Sequence, residues 1–191
     1  MAAIDIRNRR IDAKIVYYGP AQSGKTTNLT NVHSRLPQDA RGPMRSIDTA
    51  EERTLFFDLM PIQEIEVGGW TIRFHLYTVP GQEDYVRTRR AILGGADGIV
   101  FVADADPVQQ AANLQSMDEL LEHLDHYGKS ASATPIVLQV NKTDLVDARP
   151  VPEVADPLNL HAWPVVEAMA IRGIGVSETL STIAKSVART L

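Results

Sequence analysis

The chain alternates between apolar runs and amphipathic ones. Ile11 to Tyr18 is an apolar run broken only by Asp12 and Lys14; it ends at Gly19, and Leu29, Val32 and Leu36 then recur at helical spacing before Pro37. That order predicts strand, loop, helix. Upstream, Ile4 and Ile6 alternate with polar residues as far as Asn8, which predicts a short extra strand folding back on the next. Residues 38–53 read as an irregular polar stretch. Leu55 to Ile65 and Trp70 to Thr78 flank Gly68-Gly69, the signature of an antiparallel hairpin, so one edge strand should run against the rest.

Residues 83–93 predict a helix closed by Gly94-Gly95, and Gly98 to Ala103 a buried strand. Asp106 and Pro107 then offer an N-cap and a first-turn proline to a helix carrying Leu114, Met117, Leu121 and Leu124 on one face. A strand Pro135 to Val140, a proline-rich broken segment, a strand Trp163 to Met169 and a final helix with Val176, Leu180, Ile183 and Val187 complete the pattern. The expectation is an α/β fold: a mostly parallel six-stranded sheet with one antiparallel edge strand, helices on both faces and the short N-terminal strand added. No repeat or linker divides the chain, so residues 1–191 should form one domain.

Sheets of this kind bind ligands beyond the carboxyl ends of their strands. Directly after the first long strand stands Gly19-Pro20-Ala21-Gln22-Ser23-Gly24-Lys25-Thr26, a complete G-x-x-x-x-G-K-[ST] in the strand, loop and helix context it requires. In such a loop the glycines allow tight turns, the amides point inward at phosphate oxygens and the helix N-terminus adds partial positive charge. Lys25 would neutralise the β- and γ-phosphates, Thr26 would offer its hydroxyl to Mg²⁺, and Thr27 would extend the loop toward the α-phosphate. Asn141-Lys142-Thr143-Asp144, after the strand ending at Val140, matches N-K-x-D. A carboxylate at Asp144 accepts both N–H donors of guanine, whereas adenine presents a ring acceptor there, so GTP and GDP are favoured over adenine nucleotides. Asn141 would brace this site, and the methylene stem of Lys142 would lie on the purine.

Composition narrows the partners. The chain has 44% hydrophobic and 23% charged residues and a net charge of −5, values of a folded domain and not of a protein built for a nucleic-acid backbone. Without cysteine there are no disulfides, thiolate metal sites or cysteine-linked lipids. No apolar run reaches the about 20 residues that span a bilayer, and the start lacks the apolar block of a secretory signal, so a cytoplasmic protein without an integral membrane segment is expected.

The motifs GPAQSGKTT (19–27), ERTLFFD (52–58), HLYTVPGQ (75–82), DGIVFVAD (97–104) and VNKTDL (140–145) stand in the order found in Ras-like small GTPases. Over almost its whole length the chain resembles that family, and within it the bacterial MglA group of cell-polarity GTPases. The resemblance implies a P-loop NTPase G domain acting as a GTP-hydrolysing switch in polarity or motility. It also implies a Roadblock/LC7-type, MglB-like activating partner, effectors for the GTP state, and peripheral recruitment to a pole or membrane surface. The Ala170 amide would meet the guanine carbonyl, although Ile171 stands where eukaryotic relatives carry lysine.

Thr78-Val79-Pro80-Gly81-Gln82 matches T-x-x-G-Q of the MglA group rather than D-x-x-G-Q of Ras. Gly81 would offer its amide to the γ-phosphate, and Gln82 would orient the attacking water. Without a carboxylate at the switch residue Thr78, Mg²⁺ would rely on Thr26, on Thr54 in a first switch spanning residues 38–54, and on the phosphates. The resemblance implies that Arg53 is an arginine finger carried in cis; a solvated arginine beside Glu51 and Glu52 is the plainer alternative. Ala21 replaces a glycine usual in Ras-like loops, and its methyl crowds the space of Gln82, so slow hydrolysis is expected. A guanine-nucleotide-dependent binding module with negligible turnover is the second reading. Arg87, Arg89 and Arg90 read as a solvated basic face, and the five histidines show no metal-ligand spacing.

Overall fold

A computed structural model describes residues 2–37, 44–49, 52–57, 65–81 and 85–191; the side chains of 44–49, 52–57 and 65–67 lie outside the description. The strands are β1 (Ala3–Asp5), β2 (Arg10–Tyr18), β3 (Met44–Thr49), β4 (Glu52–Phe57), β5 (Ile65–Val67), β6 (Trp70–Thr78), β7 (Gly98–Asp104), β8 (Ile136–Asn141) and β9 (Val165–Glu167). The helices are α1 (Lys25–Arg35), α2 (Val86–Leu93), α3 (Gln110–His126), α4 (Val151–Ala155) and α5 (Val176–Ala188). They build one sheet of order β3-β4-β6-β2-β7-β8-β9, with β1 added on β2 and β5 on β6. Pairing is parallel from β6 through β9 and antiparallel at β3, β4, β5 and β1.

The central strands owe their apolar runs to burial on both faces. Along β2, Ala13, Ile15 and Tyr17 enter one core with α1 and α5, while Val16 and Tyr18 enter a second with α2, α3 and α4. β7 divides likewise: Val100 and Val102 face the first core, and Ile99, Phe101 and Ala103 the second. At the start of β7, a Cβ on Gly98 would press on Val187 and Ile183 of α5. Gly98→Val is therefore expected to cost about 1–3 kcal/mol through overpacking, read as a lower melting temperature; an unchanged one would show that α5 does not rest on this glycine.

Three expectations need correction. Among the described residues the sheet has nine strands, not six plus one, because β3 pairs with β4 within the stretch read as irregular; of the run Leu55 to Ile65, the start lies in β4 and the end in β5, and residues 58–64 lie outside the described ones. β3, of sequence MRSIDT, ends the sheet and lacks clean alternation; an edge strand tolerates that because its neighbour's backbone, not a buried face, defines it. The buried stripe of α3 is Asn113, Met117, Leu120, His123 and Leu124, with Leu114 left 38% exposed. Asn113 takes the inward position because its amide donates to the Asp104 carbonyl and accepts from the Asp104 N–H. Finally, Arg89 is buried and belongs to no solvated face. The N-terminal strand forms as expected, yet Ile4 and Ile6 stay exposed.

Candidate functional site

β2 ends at Tyr18, and the phosphate-loop sequence bridges from there to the N-terminus of α1. The loop needs left-handed backbone at Gly19 (φ 138°), Gln22 (φ 59°) and Gly24 (φ 99°). At Gly24 a side chain would also collide with the Asn141 amide, so two independent constraints require glycine. The Lys25 ammonium is buried and donates to the carbonyls of Gly19 (2.8 Å) and Pro20 (2.5 Å), holding it across the loop. Thr26 is exposed on the first turn of α1, and Thr27 is half-buried beside it. Ala21, Gln22, Gly24, Lys25, Thr26, Thr27, Thr78 and Gly81 line one cavity of about 210 Å³. With the amides of a helix N-terminus and a fixed ammonium, this cavity is suited to an anion.

Ser23 faces inward, its carbonyl accepting from Asn141 Nδ2 at 2.8 Å. Asn141 Oδ1 accepts in turn from the Ala170 amide at 2.9 Å. One side chain at the end of β8 thus joins the phosphate loop to the loop after β9. The Ala170 N–H expected to face a guanine carbonyl is engaged by Asn141 here. Lys142 takes left-handed backbone (φ 66°), and its Nζ lies 2.6 Å from Asp104 Oδ2, which anchors its charged end. Thr143 Oγ1 donates to the Ala168 carbonyl. The Asp144 side chain is 20% exposed, with Arg172 Nε 3.8 Å from its Oδ2.

Thr78 closes β6 and is buried. Gly81 approaches so closely that a Cβ there would meet the backbone of Ala21 and Pro20. Gln82 lies outside the described residues. Arg53 and Thr54 lie on β4, opposite Asp48 and Ile47 of β3; their side chains are outside the description.

Several supporting residues carried no motif. Asn28 Nδ2 donates to the Gly24 carbonyl (3.0 Å) and to Gln139 Oε1 (2.8 Å), and Gln139 Nε2 donates to Asn28 Oδ1 (3.0 Å) and Thr179 Oγ1 (2.7 Å). All three side chains are buried, so losing the middle one strands two polar groups. Gln139→Leu is expected to lower unfolding free energy by about 1–3 kcal/mol, measured in urea; full parental stability would refute the accounting.

On the other face, Arg89 Nε and Nη2 donate to Glu119 at 2.5 and 2.7 Å, Tyr18 Oη donates to Glu119 Oε1 at 2.6 Å, and His123 Nδ1 lies 3.3 Å from Tyr18 Oη. Burial alone would raise the Glu119 carboxyl, but the bonds from Arg89 and Tyr18 outweigh it and hold it below its ordinary value. Burial likewise lowers the His123 imidazole and raises the Tyr18 phenol. Among the described residues no group of His, Asp and Glu is arranged to hold a metal by itself.

The Ras family sequence pattern matches residues 14–189. The mutual gliding-motility protein MglA of Myxococcus xanthus (strain DK1622) is 43% identical over 187 residues, covering 98% of this chain and 96% of that protein. ADP-ribosylation factor-like protein 6 of Caenorhabditis briggsae is 26% identical over 185 residues, covering 94% and 89%, and its Caenorhabditis elegans counterpart 23% identical over 183 residues, covering 93% and 88%.

Proposed function

The chain belongs to the Ras family and is an MglA-like GTPase, and from that premise we propose that it is a slowly hydrolysing nucleotide switch acting in bacterial polarity or motility. The observation that carries this reading is Asn141, whose two hydrogen bonds bring the phosphate loop and the base loop into one site. Gly19, Ala21, Gln22, Ser23, Gly24, Lys25, Thr26 and Thr27 hold the phosphates; Asn141, Lys142 and Asp144 hold guanine, with Ala170 held beside them by Asn141. Gly81 contacts the γ-phosphate and Gln82 orients water, with Arg53 supplying transition-state charge.

Mg²⁺ fits the hard oxygen donors present: Thr26 is exposed at the phosphate cavity, and phosphates complete such a shell. When bound, the ion neutralises charge on the transferring phosphoryl group. Thr54 is the second protein ligand and Thr78 the switch residue that replaces a carboxylate. A Roadblock/LC7-type, MglB-like protein accelerates turnover, and effectors read the GTP state. The motility named for the 43% identical relative supports the process. No helix among the described residues is long and apolar enough to cross a membrane, which suits peripheral recruitment to a pole.

A second reading, a guanine-nucleotide-dependent binding module with negligible turnover, is favoured by the tight approach of Gly81 to the Ala21 backbone and by Thr78. Single-turnover GTP hydrolysis, with and without Mg²⁺ and a Roadblock-type partner, separates the two. Partner-stimulated, Mg²⁺-dependent phosphate release is expected; no release under any condition leaves the binding module.

A further inference from the structure

Gly81 lines two cavities, one of about 580 Å³ bounded by Arg89 and Glu119, the other containing Lys25 and Thr26. Which of them its amide addresses is decided by the peptide unit it shares with Pro80. In a trans peptide the carbonyl and the N–H lie on opposite edges of one plane, and no described peptide bond is cis. Arg89 Nη1 donates to the Pro80 carbonyl at 3.2 Å. Holding that carbonyl toward Arg89 turns the Gly81 N–H away from Arg89, and Gly81 also lines the cavity that contains Lys25.

The β6 strand ends at Thr78, Val79 makes a further bond to the Tyr17 carbonyl at 3.2 Å, and Pro80 has no N–H to give. Arg89 can serve as an anchor because it is itself fixed. It is 4% exposed, and its two-point bond to Glu119 sets the plane of the guanidinium. Glu119 also accepts from Tyr18, the residue immediately before Gly19, so the anchor is shared with the strand that feeds the phosphate loop.

We propose that Arg89, anchored by Glu119, is a positioning residue that aims the Gly81 amide at the γ-phosphate and so strengthens binding of the triphosphate over the diphosphate. This rests on Gly81 being the γ-phosphate contact and Gln82 the water-orienting residue.

The test is equilibrium binding of GDP and of a non-hydrolysable GTP analogue to the full chain, to Arg89→Ala and to the double variant Arg89→Met/Glu119→Leu, with thermal unfolding and single-turnover hydrolysis alongside. Arg89→Ala should weaken the analogue about tenfold with GDP affinity unchanged, and slow hydrolysis. The double variant, with an apolar pair in place of the ions, should recover stability without recovering the parental preference; it decides the matter if Arg89→Ala does not fold. A parental affinity ratio in either variant, or equal weakening of both nucleotides, overturns the proposal. Failure of the underlying reading looks different: Gln82→Ala would then hydrolyse GTP at the parental rate.

Discussion

Asp144→Ala should lower the affinity for GDP and GTP by about 10²–10⁴-fold, because two hydrogen bonds to a charged acceptor are lost together. The carboxylate sits at the edge of the base loop, 20% exposed and beside Arg172. Guanine offers it two donors, whereas adenine would set a ring nitrogen lone pair against it, so the same substitution should also erase discrimination against ATP. The loop itself is held by Asn141, Lys142 and Thr143, not by Asp144, so stability should survive. Displacement of a fluorescent guanine nucleotide, in competition with ATP, checks both points; unchanged guanine affinity would place base recognition elsewhere.

The second large effect concerns rate. Arg53→Ala should slow single-turnover hydrolysis by about 10³-fold or more, the scale of an arginine that stabilises charge on the transferring phosphoryl group, while nucleotide affinity stays unchanged. Arg53 lies on β4 and not in a free loop, paired with Asp48 and next to Thr54. An arginine carried on a paired strand needs no partner to supply it, so the loss should appear in the protein alone. Gln82→Ala should reproduce the loss. If Arg53→Ala hydrolyses GTP at the parental rate, the arginine carried in cis is the wrong assignment and the solvated alternative stands.

The phosphate-loop sequence was legible because its backbone demands particular residues at particular spacings: Gly24 must be glycine. The central strands were legible because burial on both faces leaves an apolar run. What escaped reading depends on contacts distant in sequence. Gln139 sits in a strand that reads as plain apolar, and only the proximity of Asn28 and Thr179 makes its amide useful. Arg89 looked like one of three solvated arginines; its burial follows from Glu119, thirty positions along the chain, facing it across the α2 and α3 interface. β3 escaped because its pattern is imposed by β4.

Asn141 has a consequence for time as well as place. A ligand gripped at two ends usually leaves by releasing one and then the other. Here a single amide joins the two loops, so on the proposed function loosening one grip would disturb its opposite and couple the two releases. On the proposed function, weakening the 2.8 Å bond from Asn141 to the Ser23 carbonyl, as in Asn141→Ala, would then shorten the dwell time of the bound nucleotide.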